Sequence, residues 1–280
     1  MAQFFRTCIF CGGRGLTKEH IWPRWLHAYI PPELKEHAVR LEVNWPDRAE
    51  TSIVKRQGDT QSRTVRRVCV NCNGGWMSAL QERAKPIIVP LLSACRGVLT
   101  RKQQTTLAAW AAMTTMTAEQ IDERKMTVSQ EDREYLMQHG EAPGHWRIWL
   151  ADYRCERRKS RYDFRCAPLY LAGEIVPDQP YAGPATPNTQ ASTFVLGRLL
   201  VHTFCSTAIR SQVARWRFRS PVCAPAMQQI WRVRTPRIQW PPTVTLDDRG
   251  AEHVAEAFYK QVRHHGTKAA LRELAAEVGD

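Results

Sequence analysis

Two cysteine pairs constrain this chain more than any other feature. Cys8 and Cys11 stand in Thr-Cys-Ile-Phe-Cys-Gly-Gly, and Cys69 and Cys72 in Val-Cys-Val-Asn-Cys-Asn-Gly-Gly-Trp. Two thiolates two residues apart can grip one metal from a tight turn, and a second such pair closes a tetrahedral shell. The spacing predicts a structural Zn²⁺ on Cys8, Cys11, Cys69 and Cys72. The insert between the pairs exceeds that of an ordinary zinc ribbon, so the metal would join two distant parts of the chain. Glycines at 12, 13 and 15 suit the tight turn after Cys11.

Between the pairs lies Leu16-Thr17-Lys18-Glu19-His20-Ile21-Trp22-Pro23, and directly after Cys72 comes Asn73. The order is C-x2-C, an acidic residue and His with Pro three positions on, then C-x2-C-Asn. It resembles the HNH (ββα-metal) endonuclease family, nearest to the zinc-bearing type of phage endonuclease VII. The resemblance covers roughly residues 1–85 and does not address the rest. It implies a hairpin and a helix stapled by zinc on the four cysteines. It implies His20 as general base, and Glu19 and Asn73 as ligands of a catalytic Mg²⁺ or Mn²⁺. Two departures stand out. Glu19 occupies a place where the family often has Asp, and Ser62–Val68 holds no Asn, with Thr64 nearest to the family's middle position.

Those residue types have separate chemical jobs. A DNA phosphodiester resists hydrolysis because water is a weak nucleophile and the 3′ oxygen a poor leaving group. An imidazole that titrates near neutrality can take a proton from the attacking water. A divalent cation can neutralise charge as it develops on the phosphate, and the family's products carry 5′-phosphate and 3′-hydroxyl ends. An isolated Glu-His step reads more readily as ordinary strand surface. Its place between the knuckles, with Pro23 and Asn73 in register, favours the active-site reading.

Charge points the same way. Forty Lys and Arg against 27 Asp and Glu give a net charge of +13, which suits a polyanionic partner such as DNA. Arg63, Arg66 and Arg67, just ahead of the second cysteine pair, are the candidate nucleic-acid contacts. Arg154–Arg161 and Arg215, Arg217 and Arg219 form further basic clusters, the latter alternating with Trp216 and Phe218 as on a strand. No apolar run approaches the ~20 residues of a membrane span, and the N-terminal residues lack a signal-peptide core. A cytoplasmic protein is the expectation. There Cys95, Cys155, Cys166, Cys205 and Cys223 read as small buried hydrophobes rather than disulfide partners.

The predicted fold class is α+β: an N-terminal ββα-metal (HNH) zinc module over 1–85, then a helical and antiparallel-β domain over 86–280. The second part would serve target recognition or oligomerisation, as in a homodimer. Leu16–Ile21 should be the strand that presents His20, and 35–62 a flexible or hairpin excursion. A helix should open at Asn73 and stop at Pro86. Thr100 with Gln103, and Ser129 with Asp132, read as helix caps, and Gly140 as a stop. From Trp146 the period turns to strands, with a loop over 177–190. Asp247 and Asp248 should cap a helix to about His265, with a last helix after Thr267. The leading functional reading is a metal-dependent HNH endonuclease. Its alternatives are a catalytically weak, zinc-stabilised nucleic-acid-binding protein, and an interaction protein whose zinc only ties the N-terminus to the body.

Overall fold

The computed structural model describes residues 7–29, 36–44, 49–57, 63–121, 126–154, 162–169, 188–207, 216–218, 221 and 223–257. It is an α+β fold built on three sheets. The smallest unit pairs β1 (Leu16–His20) with β4 (Thr64–Cys69) in antiparallel register. A second two-stranded ribbon pairs β5 (Gly97–Thr100) with β11 (Arg237–Trp240). The large sheet has seven strands in the order β10 (Gln228–Trp231), β6 (Arg147–Asp152), β9 (Leu199–Ser206), β8 (Thr189–Leu196), β7 (Tyr162–Leu169), β2 (Glu36–Asn44) and β3 (Ala49–Gln57). All neighbours are antiparallel except β2 and β7, which join in parallel at Asn44 and Leu169. Strands β2 and β3, which lie between the cysteine pairs, therefore extend this sheet at its edge.

Both faces of the sheet are covered, which is why β8 and β9 are buried along their whole length. Phe194, Leu196, Leu199 and Val201 turn to one side, where helix α3 (Arg101–Ala118) lies. Ala191, Val195, Leu200 and Phe204 turn to the other, against Trp216, Phe218, Met227, Leu246 and Val254. The strands' polar side chains are paired within these layers: Thr115 with Thr203 at 3.1 Å, Thr189 with Ser206 at 2.6 Å, and Thr193 with His202 at 2.8 Å. Helix α3 is buried on every side from Leu107 onward, as a helix wedged between layers must be. Its Trp110 is buried, donates to Gln81 Oε1 at 2.9 Å and meets the Phe194 ring at 6.0 Å.

The local signals act as their chemistry requires. Thr100 and Gln103 form a reciprocal capping box on α3. Ser129 Oγ accepts from the Asp132 amide at the start of α4 (Gln130–His139), and Gly140 closes it with φ of 66°. Asp247 Oδ1 accepts from the Gly250 amide at 2.7 Å and opens a helix over 248–257.

Three expectations are corrected. The helix after the second cysteine pair does not stop at Pro86. It passes from α1 (Val70–Cys72) through a π turn (Asn73–Met77), kinked at Gly75, into α2 (Ser78–Leu92), with Pro86 and Pro90 inside α2. An interior proline costs a helix ~3 kcal/mol. The burial of Leu80, Ala84, Ile88, Leu91 and Leu92 along one stripe offsets that cost. Cys95 is exposed, whereas Cys205 and Cys223 are buried as expected. Residues 216–218 belong to no strand; Trp216 and Phe218 are held by aromatic packing instead. The loop over 177–187, residues 155–161, Arg215, Arg219 and everything after 257 lie outside the described residues. No helix among the described residues is long and apolar enough to cross a membrane.

Candidate functional site

The first knuckle is shaped by its own backbone. The Cys8 amide donates to Gly13 O at 2.8 Å and the Gly12 amide to Cys8 O at 2.9 Å, with Gly12 at φ of 69°, a left-handed turn that glycine accepts at no cost. The Gly13 amide points at Cys11 Sγ and the Cys72 amide at Cys69 Sγ, each at 3.4 Å. Two cross-links bring the knuckles together: the Ile9 amide donates to Arg67 O at 3.0 Å and the Val70 amide to Gly15 O at 3.1 Å. Helix α4 backs the pair, with Gln130 Nε2 donating to Phe10 O at 3.4 Å. Phe10 in turn packs edge-to-face with Trp76, their ring centroids 4.9 Å apart.

All four Sγ atoms of Cys8, Cys11, Cys69 and Cys72 lie within 4.8 Å of one another, and Cys11 and Cys69 are 3.5 Å apart. Four thiolates at the ordinary Zn–S distance of about 2.3 Å stand about 3.8 Å apart, so the set fits a tetrahedral zinc. Burial pushes the Cys11 and Cys72 thiols up. It pushes Cys69 up as well, but the Cys72 amide and the neighbouring thiols outweigh it and bring Cys69 down to about 7. A metal ion entering this shell would displace the remaining protons. The four cysteines can therefore hold a metal ion such as zinc.

The hairpin beside the knuckles carries an irregularity. Leu16 and Thr17 pair with Cys69 and Val68, but Glu19 and His20 pair with Val65 and Thr64. Strand β4 takes three steps where β1 takes two, which is a β-bulge. The bulge lets Val65 and Val68 both turn inward, with Arg66 exposed and Arg67 half-buried between them. The ladder continues past His20, where the Ile21 amide donates to Arg63 O at 3.0 Å. Thr64, nearest to the family's middle Asn, is the cross-strand partner of His20.

Glu19, Thr17 and Asn73 come together where β1 meets the π turn. Asn73 Nδ2 donates to Thr17 Oγ1 at 3.1 Å. Burial raises the Glu19 carboxyl to about 7, and a hydrogen bond with the Asn73 side chain pulls it partway back. His20 sits at the strand end and is held below 6.5, first by burial and then by the charges of Arg24 and His27. At neutral pH it is an unprotonated imidazole. Sequence reasoning missed Thr17; its signal was the strand's two-residue period, which sets it on the same face as Glu19. Of the three arginines, Arg66 is exposed, and Arg63 and Arg67 are half-buried beside the same hairpin.

No family model matches the chain, and neither does any curated protein or solved structure.

Proposed function

We propose that the chain is a metal-dependent HNH endonuclease acting on DNA, with the module around the four cysteines as its catalytic part. The observation that carries this reading is the meeting of Glu19 and Asn73. A carboxylate on the hairpin and an amide on the turn after the last cysteine share one spot, although 53 positions separate them. Burial rather than a cationic partner sets the Glu19 carboxyl. A half-buried carboxylate beside a neutral amide is an all-oxygen donor set that suits Mg²⁺ or Mn²⁺. Held by Glu19 and Asn73, such a cation would stabilise charge on the scissile phosphate and its leaving oxygen.

The chain's own residues would do the rest. His20, kept neutral by burial and by Arg24, accepts the proton of the attacking water at an imidazole nitrogen. Thr17 holds the Asn73 amide in place through its hydroxyl. Cys8, Cys11, Cys69 and Cys72 would hold a zinc ion that ties the hairpin to the helix start, and with it the spacing of base and ligands. Arg63, Arg66 and Arg67 would lie beside the cut and engage phosphates, since guanidinium forks match phosphate oxygens. A weakly catalytic, zinc-stabilised nucleic-acid-binding protein is the second reading; Thr64, rather than Asn, opposite His20 favours it.

The test is a nicking assay on plasmid DNA with Mg²⁺ or Mn²⁺, comparing wild type with His20→Ala. A positioned general base contributes ~10²–10⁴-fold in rate, and that loss is expected with zinc content and thermal stability unchanged. Cleavage by His20→Ala at the wild-type rate would overturn the catalytic reading in favour of the binding one.

A further inference from the structure

Four arginines gather at one end of the large sheet, on elements remote in sequence from the cysteines. Arg147 opens β6, Arg217 lies between Trp216 and Phe218, and Arg232 and Arg234 follow β10. Arg147 is 8% exposed, and its Nη1 donates to Gly144 O at 3.2 Å and to Trp146 O at 2.7 Å. The Arg232 guanidinium lies against the same glycine, so close that a methyl group on Gly144 would stand 2.5 Å from Arg232 Nη2. Two cationic forks thus converge over one residue that has no side chain to separate them.

The scaffold fixes this arrangement. Trp216 and Phe218 are buried against Trp149 at 5.3 and 5.2 Å and meet each other at 4.6 Å, which anchors Arg217 on both sides. Arg217 Nη1 donates to Trp216 O at 2.6 Å. Gln229 Nε2 donates to the carbonyls of Trp231 and Arg232, each at 3.1 Å, and Trp231 Nε1 to Pro143 O at 2.9 Å. Arg217, Arg232 and Arg234 make no ion pair with a carboxylate among the described residues. Burial, then the charges of Arg217, Arg232 and Arg234, lower the Arg147 guanidinium to about 10. Like charges held this close repel one another, and a bound polyanion relieves the repulsion.

We propose that Arg147, Arg217, Arg232 and Arg234 form a phosphate-docking site for the backbone of DNA, built on a different sheet from the Glu19–His20 hairpin. This assigns a second anchoring point for the substrate of the proposed nuclease, and it rests on that reading for the identity of the polyanion. The graded burial argues for a strand of phosphates rather than one enclosed anion. Arg232 and Arg234 are open to solvent, Arg217 is half-buried and Arg147 is buried, so the donors form a slope along which successive phosphates can lie. Two docking points on one duplex would set its register before any chemistry.

The experiment is equilibrium binding of zinc-loaded, full-length protein to a labelled duplex, with no added divalent cation, over a range of salt. Arg232→Ala/Arg234→Ala is compared with Arg154→Ala/Arg249→Ala, which removes the same charge from exposed positions at the opposite end of β6. Each phosphate contact contributes ~0.9 to the slope of log affinity against log salt. The first variant should lose about 1.8 of that slope and at least about tenfold in affinity at moderate salt, and the control much less. Arg232→Lys/Arg234→Lys should recover most of the slope, which a folding defect would not allow. Equal behaviour of the two alanine variants would overturn the proposal. So would binding of inorganic pyrophosphate that depends on Arg232 and Arg234 while DNA affinity stays untouched. Cleavage plays no part in the readout, so absence of nuclease activity in the wild type would sink the catalytic reading and leave this result standing.

Discussion

Glu19→Gln is expected to stabilise the fold at alkaline pH, with zinc in place and no other divalent cation added. The size follows from where the carboxylate sits. It is the cross-strand partner of the buried Val65, and its polar neighbour is the uncharged Asn73 amide. Burial raises its pKa from 4.5 to about 7. The unfolded chain ionises near the ordinary value, so the folded protein holds this proton more tightly. The stability that the proton confers is fully present below about pH 4.5 and is lost as pH rises through about 7. At ~1.4 kcal/mol per tenfold change in proton affinity, the loss approaches about 3 kcal/mol above pH 8. Gln keeps the shape and cannot ionise. Urea unfolding between about pH 5.5 and 8.5 should show the variant's advantage growing with pH and flattening near the top of the range. Millimolar Mg²⁺ should narrow the gap by stabilising the wild type alone. An advantage that does not change with pH, or a variant less stable than wild type at pH 8.5, would refute the reasoning about Glu19.

Other substitutions probe the remaining parts. Arg24→Ala removes a cation that holds His20 down, so the pKa of His20 should rise and the acid limb of the pH–rate profile for nicking should move to higher pH. A limb that stays in place would exclude His20 as the group whose ionisation limits the rate. Cys69→Ser should release zinc to a chromogenic chelator and lower thermal stability, since structural zinc supplies ~10 kcal/mol or more to small modules. Full zinc retention in that variant would contradict the four-thiolate shell. Trp110→Ala should cost ~3–5 kcal/mol in urea unfolding, because the ring is 1% exposed and its N–H is committed to Gln81. A loss under about 1 kcal/mol would mean that α3 is not packed around it.

What could be read ahead of the structure was local. Thr100 with Gln103 and Ser129 with Asp132 are caps whose partners lie three residues away, so spacing alone reveals them. The cysteine pairs are legible for the same reason, and chemistry restricts what four converging thiolates can do. What escaped was decided at long range. Pro86 looked like a stop because the stripe from Leu80 to Leu92 gains its energy from other elements, which a proline rule does not weigh. The alternation from Arg215 to Arg219 resembled a strand. Trp216 and Phe218 do point inward, yet rings from β6 and β9 hold them rather than a ladder. Residues 36–57 carry no mark of the sheet they extend, since pairing with β7 depends on a segment more than a hundred positions away. At the site, the knuckles and the Glu-His step were legible; the Thr17–Asn73 hydrogen bond, made across the hairpin, was not.

The π turn over Asn73–Met77 sets a phase. The Ser78 amide reaches back five residues to the Asn73 carbonyl, one residue more than an α-helix allows. Gly75, at φ of −93° and ψ of −111°, leaves helical geometry inside this turn, so α2 starts on a kinked axis and in a phase of its own. With it, Asn73 reaches Thr17 while Leu80, Ala84 and Ile88 meet the core. Removing a single residue from Gly74-Gly75 would make the two demands incompatible, since either the amide leaves Thr17 or the apolar stripe turns to solvent. Between Cys72 and Leu80 the number of residues is as much a part of the site as their identity, and a change in length there would uncouple ligand from core without altering a side chain of either.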